Sequence, residues 1–261
     1  MQKLIFTLIL TMTAFMVNAQ NEEMINIPLT SPGQPGTLEV RLHDGTATIE
    51  GYNGSEIVLK ITSGKDKDKG SSKSGLRRIP NTSLDVSITE EDNHVNISGS
   101  HSKRSDFIIQ VPKNFNLSIK THHNGQIKIS NINGEIEAKG HHGGIELNEI
   151  SGSVIAETHH GRISATFDAV DSSKPMGFST YHGDVDITFP ASTKGSLKMK
   201  TTKGEILTDF DMSIEKPKIE RKSSGGRNEI KLSGWTQGNI GGGGEEYLFT
   251  TYHGSILIRK G

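Results

Sequence analysis

The stretch THHNGQIKISNINGEIEAKGHHGGIELNEISGSVIAETHHGRISA, residues 121–165, decides the fold. Its aliphatic anchors Ile127, Ile136, Ile145, Val154 and Ile163 recur every nine residues. Each has a glycine two places earlier, at Gly125, Gly134, Gly143, Gly152 and Gly161. Two places after each anchor stands another small or apolar residue: Ile129, Ala138, Leu147, Ala156 and Ala165. The residues between are polar, with Ile155 the exception. Apolar side chains at every second position mark strands with one buried face.

The units alternate in type. Odd units carry paired histidines, as HHNGQI, HHGGI and HHGRI; even units, NINGEI and EISGSV, carry Ile132 and Ile150 instead. One structural period is therefore eighteen residues, two strands and two turns. The pattern continues more loosely with turn glycines Gly183, Gly204 and Gly254 ahead of Val185, Ile206 and Ile256. Upstream, GTATIEG from Gly45, SEIVLKI from Ser55, HVNISG from His94, DFIIQV and FNLSI read as further strands. Short strands separated by glycine turns at a constant interval stack as coils. A β-sandwich competes, but it does not need the same residue types at the same phase. The expected fold is all-β: a β-solenoid, parallel β-helix-like, built from nine-residue Gly-x-Ile/Val units with about 18–22 residues per coil. An uncapped stack exposes strand edges, so the N-terminal segment through Ile61 or the glycine-rich C-terminal segment is the expected cap.

Lys3, the apolar run Leu4–Val17 and the small residues of VNA have the form of a cleaved secretory signal over residues 1–19. Residues 20–261 are expected to form a single domain, with flexible loops near 63–75 and 233–246. No later run is long and apolar enough for a spanning helix. The chain has no cysteine, which excludes disulfides and an anchor on an N-terminal cysteine. The net charge of −1 lacks the concentrated basic surface that nucleic acid requires. The expected location is the periplasm, the cell surface or the medium.

The histidines invite a metal reading. Aligned on the anchors, one position reads Asn124, His142, His160, His182, Lys203 and His253. The position before it reads His123, His141, His159, Tyr181, Thr202 and Tyr252. In stacked coils ~4.8 Å apart, such residues form a histidine ladder along one edge. His142, His160 and His182 are the candidate metal ligands. No zinc signature accompanies them, and tyrosine replaces histidine within the neighbouring position. Flat rings packed along an edge, or an edge for sugar or peptide, explain the same pattern. No catalytic nucleophile motif or phosphate loop occurs, and Asp184 and Asp186 read as an outward, solvated strand face. No enzyme activity and no cofactor are expected.

TYHGDVDITFPAS, LKMKTTKGEILTDFDM and TYHGSILIRK resemble the putative-adhesin family of bacterial β-strand-repeat proteins, a domain of unknown function common in secreted proteins of Bacteroidetes-type bacteria. The resemblance covers roughly residues 37–261. It implies an exported β-solenoid and carries no active site with it. The expected function is a secreted, non-enzymatic scaffold, an adhesin or cell-envelope interaction protein whose partner is a protein or glycan. The alternatives are a periplasmic transition-metal-binding protein and a polysaccharide-active β-helix.

Overall fold

The structure, a computed structural model, describes residues 22–63, 85–216, 219–224, 227–232 and 234–261. The expected leader and nearly all of the expected 63–75 loop lie outside these residues. Among the described residues the fold is all-β, with no helix.

The N-terminal part supplies β1 (Glu22–Pro28), β2 (Gly36–Asp44), β3 (Ala47–Tyr52), β4 (Glu56–Ser63), β5 (Ser87–Glu91), β6 (His94–Ser98) and β7 (Ser105–Pro112). The repeat supplies β8 (Phe115–His123), β9 (Ile127–Ile132), β10 (Ile136–Lys139), β11 (Ile145–Gly152), β12 (Val154–His160), β13 (Ile163–Val170), β14 (Met176–His182) and β15 (Val185–Phe189). The C-terminal part supplies β16 (Gly195–Thr201), β17 (Ile206–Thr208), β18 (Ser213–Ile214), β19 (Ile219–Ser224), β20 (Arg227–Leu232), β21 (Thr236–Ile240), β22 (Glu246–His253) and β23 (Ile256–Lys260). The 233–246 span, expected as a loop, thus contains β21, which pairs antiparallel with β16. Gln237, Gly238 and Asn239 carry no apolar signal; backbone pairing with β16 and the burial of Ile240 make it a strand.

Two large mixed sheets result, with β19 and β20 forming a separate hairpin. From β8 to β15, successive strands alternate between the sheets. In the first sheet Ile127 pairs with Ile145 and Ile145 with Ile163, all parallel. In the second, Ile136 pairs with Val154. Each pairing advances eighteen residues, the period of the sequence. The anchors and their i+2 partners are buried, and the core lies between the sheets. Phe167 and Phe189 of the first sheet meet Phe178 and Phe249 of the second edge-on, each pair at 6.4 Å. Such geometry suits the ring quadrupole. Ile155, the outward exception, is 47% exposed.

The ends depart from sequential stacking. β2 and β3 lie between β6 and β8 and between β7 and β9, respectively. β22 and β23 lie between β14 and β16 and between β15 and β17. Both insertions keep parallel register: His182 pairs with His253, and Val185 with Ile256. At one end of the molecule β1 and β5 are the outermost strands, both paired antiparallel; at the other, β17 and β18 are outermost. Of the N-terminal segment through Ile61, only β1 and β4 stand at an edge of the first sheet, paired antiparallel; β2 and β3 are inner strands.

Candidate functional site

Where the chain passes from the second sheet to the first, the glycines form a file. A Cβ built on Gly125 would stand 1.8 Å from the Gly45 carbonyl oxygen, and one on Gly143 would stand 1.8 Å from that of Gly125. Gly161, Gly183, Gly254 and Gly204 continue the series, each against the glycine before it. Gly134 and Gly152 belong to the opposite corner, where the chain returns to the second sheet; Gly152 faces the Gly134 carbonyl. Adjacent rungs approach too closely here for any side chain.

Three places before most of these corner glycines stands a threonine that the sequence reading missed. The hydroxyls of Thr158, Thr180, Thr251 and Thr201 donate to the carbonyls of Gly143, Gly161, Gly183 and Gly254, at 2.8, 2.9, 2.9 and 2.8 Å. Each bond crosses to the neighbouring rung and satisfies a carbonyl that the tight corner withholds from the sheet. The signal was present as T-x-H-G and T-x-K-G in THHG, TYHG and TTKG.

Outside the glycines stand two files of rings. In the outer file His43, His122, His141, His159, Tyr181 and Tyr252 stack at 5.6, 5.3, 5.2, 5.0 and 4.8 Å between centroids, within 8° of parallel. In the inner file His142, His160, His182 and His253 stack at 5.1, 4.9 and 4.6 Å. The spacing is that of neighbouring strands. Lys203, in phase with the inner file, reaches across so that its ammonium lies 5.8 Å from the centre of the Tyr252 ring.

The first rung was misaligned by one residue. His122, not His123, stacks on His141. Asn124 is an extra residue at this corner and takes a left-handed conformation, φ 44°. Asparagine tolerates that conformation better than most residues. His123 leaves its file as a result: it lies 6.2 Å from His142 and tilts 38° to it.

The candidate ligands His142, His160 and His182 are brought together, but as parallel plates. Imidazole lone pairs lie in the ring plane, so stacked rings aim their nitrogens side by side and not at one point. Desolvation, aided by the neighbouring imidazoles, holds His141, His142, His160 and His182 below the ordinary imidazole value of 6.5. The file therefore favours neutral rings.

Beside the outer file, across β10, β12, β14, β22 and β16, runs an open groove of about 740 Å³. His159, Tyr181 and Tyr252 border it, with Trp235, Lys139 and Lys200. The ammonium groups of Lys198 and Lys200 lie 5.2 and 5.5 Å from the Trp235 ring centre, a cation–π arrangement.

Asp186 is not on a solvated face. It is 8% exposed and accepts from Arg259 Nε at 2.7 Å and from Arg162 Nη2. Burial alone would raise its carboxyl, but Arg259 and Arg162 hold it below the ordinary 3.8. Asp184 accepts from the Ser255 amide at 2.8 Å. Both aspartates tie β23 and its corner to the neighbouring rung.

No family model matches the chain, and no curated protein matches it. Two solved structures are similar. A "putative cell adhesion protein" from Clostridium sporogenes is 12% identical, with a TM-score of 0.47 over 92% of this chain and 99% of that one. A "putative adhesin" from Bacteroides fragilis is 13% identical, with a TM-score of 0.46 over 92% of this chain and 98% of that one. Among the described residues no helix is long and apolar enough to cross a membrane.

Proposed function

We propose that this chain is an exported, non-enzymatic β-solenoid of adhesin type that holds an extended glycan at the cell envelope. The solenoid reading is supported by the alternation of successive strands between two sheets and the parallel eighteen-residue register. The inserted strands β2–β3 and β22–β23 pair parallel with their repeat neighbours, so the stacking direction is kept at both ends although the eighteen-residue spacing is not.

The groove beside the ring file carries the functional reading. Its aromatic and imidazole edges repeat at the strand spacing, 5.0 Å from His159 to Tyr181 and 4.8 Å from Tyr181 to Tyr252. A polymer with a comparable unit length presents the same face to each rung. Sugar rings have apolar faces that lie against aromatic rings and hydroxyls that bond to polar strand residues. Ser179, Thr202 and Thr250 supply hydroxyls along this groove. Lys139 and Lys200 outnumber the acidic Glu157 in the lining, which favours a glycan bearing carboxylate or sulfate groups. The groove is open and long, unlike the enclosed cavity that buries most of a small ligand.

Titration of the purified protein with neutral and acidic polysaccharides tests this reading. Acidic polymers are expected to bind, and Trp235→Ala with Tyr252→Ala is expected to weaken binding at least about tenfold, the loss of ~1.4 kcal/mol. Failure of every glycan to bind, or binding unchanged in the double variant, overturns it.

A further inference from the structure

We propose that His43, His122 and His123 form a site for a late divalent transition-metal ion, zinc or copper. One ring nitrogen from each can be chosen so that all three lie within 4.8 Å of one another. His122 Nδ1 and His123 Nδ1 are already 2.8 Å apart. Nitrogens bound to one zinc ion, at ~2.0–2.1 Å each, stand about 3.3 Å from one another in tetrahedral geometry. Small ring rotations on two adjacent strands close the set.

Convergence here has a local cause. Asn124 displaces His123 from its file. Its ring then tilts 52° to His43 and 46° to His122, with centroids at 4.8 and 4.4 Å. His43 and His122 are themselves stacked 7° from parallel, but the plane of His123 cuts across both, so its lone pair is able to meet theirs. The parallel rings of His142, His160 and His182 lack this property. The place opposite His123 on β2 is taken by Asp44, which has no ring to hold His123 in a stack. Asp44 Oδ1 is buried, has no hydrogen-bond partner and lies 3.9 Å from Arg104 Nη1. Three neutral imidazoles suit zinc, copper and nickel and are poor ligands for calcium or magnesium. Three protein ligands leave a further position for water. The site is separate from the glycan groove and does not depend on it.

Calorimetric titration of untagged protein with zinc and copper chloride decides the matter. One ion per chain is expected, with copper tighter than zinc. His123→Ala and His43→Ala are each expected to weaken binding at least about tenfold. A His160→Ala/His182→Ala double variant keeps wild-type affinity. Melting curves establish that each variant is folded. The copper-loaded wild type provides a readout that needs no variant: its electron paramagnetic resonance spectrum should show coupling to imidazole nitrogens. Absence of saturable binding overturns the site. So does an equal loss in His123→Ala and the double variant, which assigns the metal to the histidine edge at large, and so does a copper spectrum without nitrogen coupling.

Discussion

At Gly143 the backbone runs against the neighbouring rung with no space for a methyl group: a Cβ would stand 1.8 Å from the Gly125 carbonyl oxygen. At Gly177, in β14, a Cβ would meet nothing within 4 Å. Gly143→Ala is therefore expected to cost about 1–3 kcal/mol or more, because backbone on both sides must move. Gly177→Ala should stay within about 0.5 kcal/mol of wild type. Urea unfolding of the two variants separates them; equal stabilities would remove the close-packed corner. Glycine two places before each anchor was legible because a backbone requirement leaves the same residue at the same phase. The threonine hydroxyls were less so, since THHG and TYHG draw the eye to their rings. Asp186 was missed for a different reason. Alternation assigns it outward, but its arginine partners come from positions 24 residues before and 73 after it, which no local pattern connects.

Along an element, the ring files link stability to pH. His160 and His182 are held below 6.5 by desolvation first and by neighbouring imidazoles second. The unfolded chain takes up protons near 6.5, before the folded rings do. Stability is thus full above that pH and falls as the solution is acidified, until the folded rings are protonated too. Thermal melts between neutral pH and pH 5 should show a falling Tm. His160→Gln/His182→Gln should show a shallower decline; an identical slope would place the acid sensitivity elsewhere. The files themselves followed from the period, since His142, His160 and His182 share a phase. The first rung did not, because anchoring on Ile127 places Asn124 in the ring position, whereas in three dimensions Asn124 is the extra residue. His43 also escaped the alignment. HDGTA, residues 43–47, has its histidine two places before the glycine, as His159 precedes Gly161, but Ala47 stands where the other rungs have an aliphatic anchor.

For the whole molecule, the decisive contacts are those that sequence order conceals. The C-terminal β23 is an inner strand, with β15 on one side and β17 on the other. The Asp186 carboxylate holds it through Arg259. Asp186→Asn is expected to lower the Tm by a few degrees and to raise amide exchange first in β23 and β17. Exchange in β9 and β11, several strands away, should change little. Uniform acceleration in every strand would show that the molecule opens only as a unit. Periodicity identified the middle rungs because their partners are eighteen residues away. It could not place β22 and β23, whose partners in β14 and β15 are 71 residues distant.

That insertion governs the order of assembly. During synthesis the chain makes β14 and β15, then β16 and β17, yet these rungs have no shared edge until Glu246–Lys260 enter between them. Glu246–Lys260 are a keystone, and the two sheets are continuous only once these residues are in place. A chain in which β22 and β23 are not yet docked holds open strand edges facing one gap, which makes that intermediate prone to intermolecular pairing.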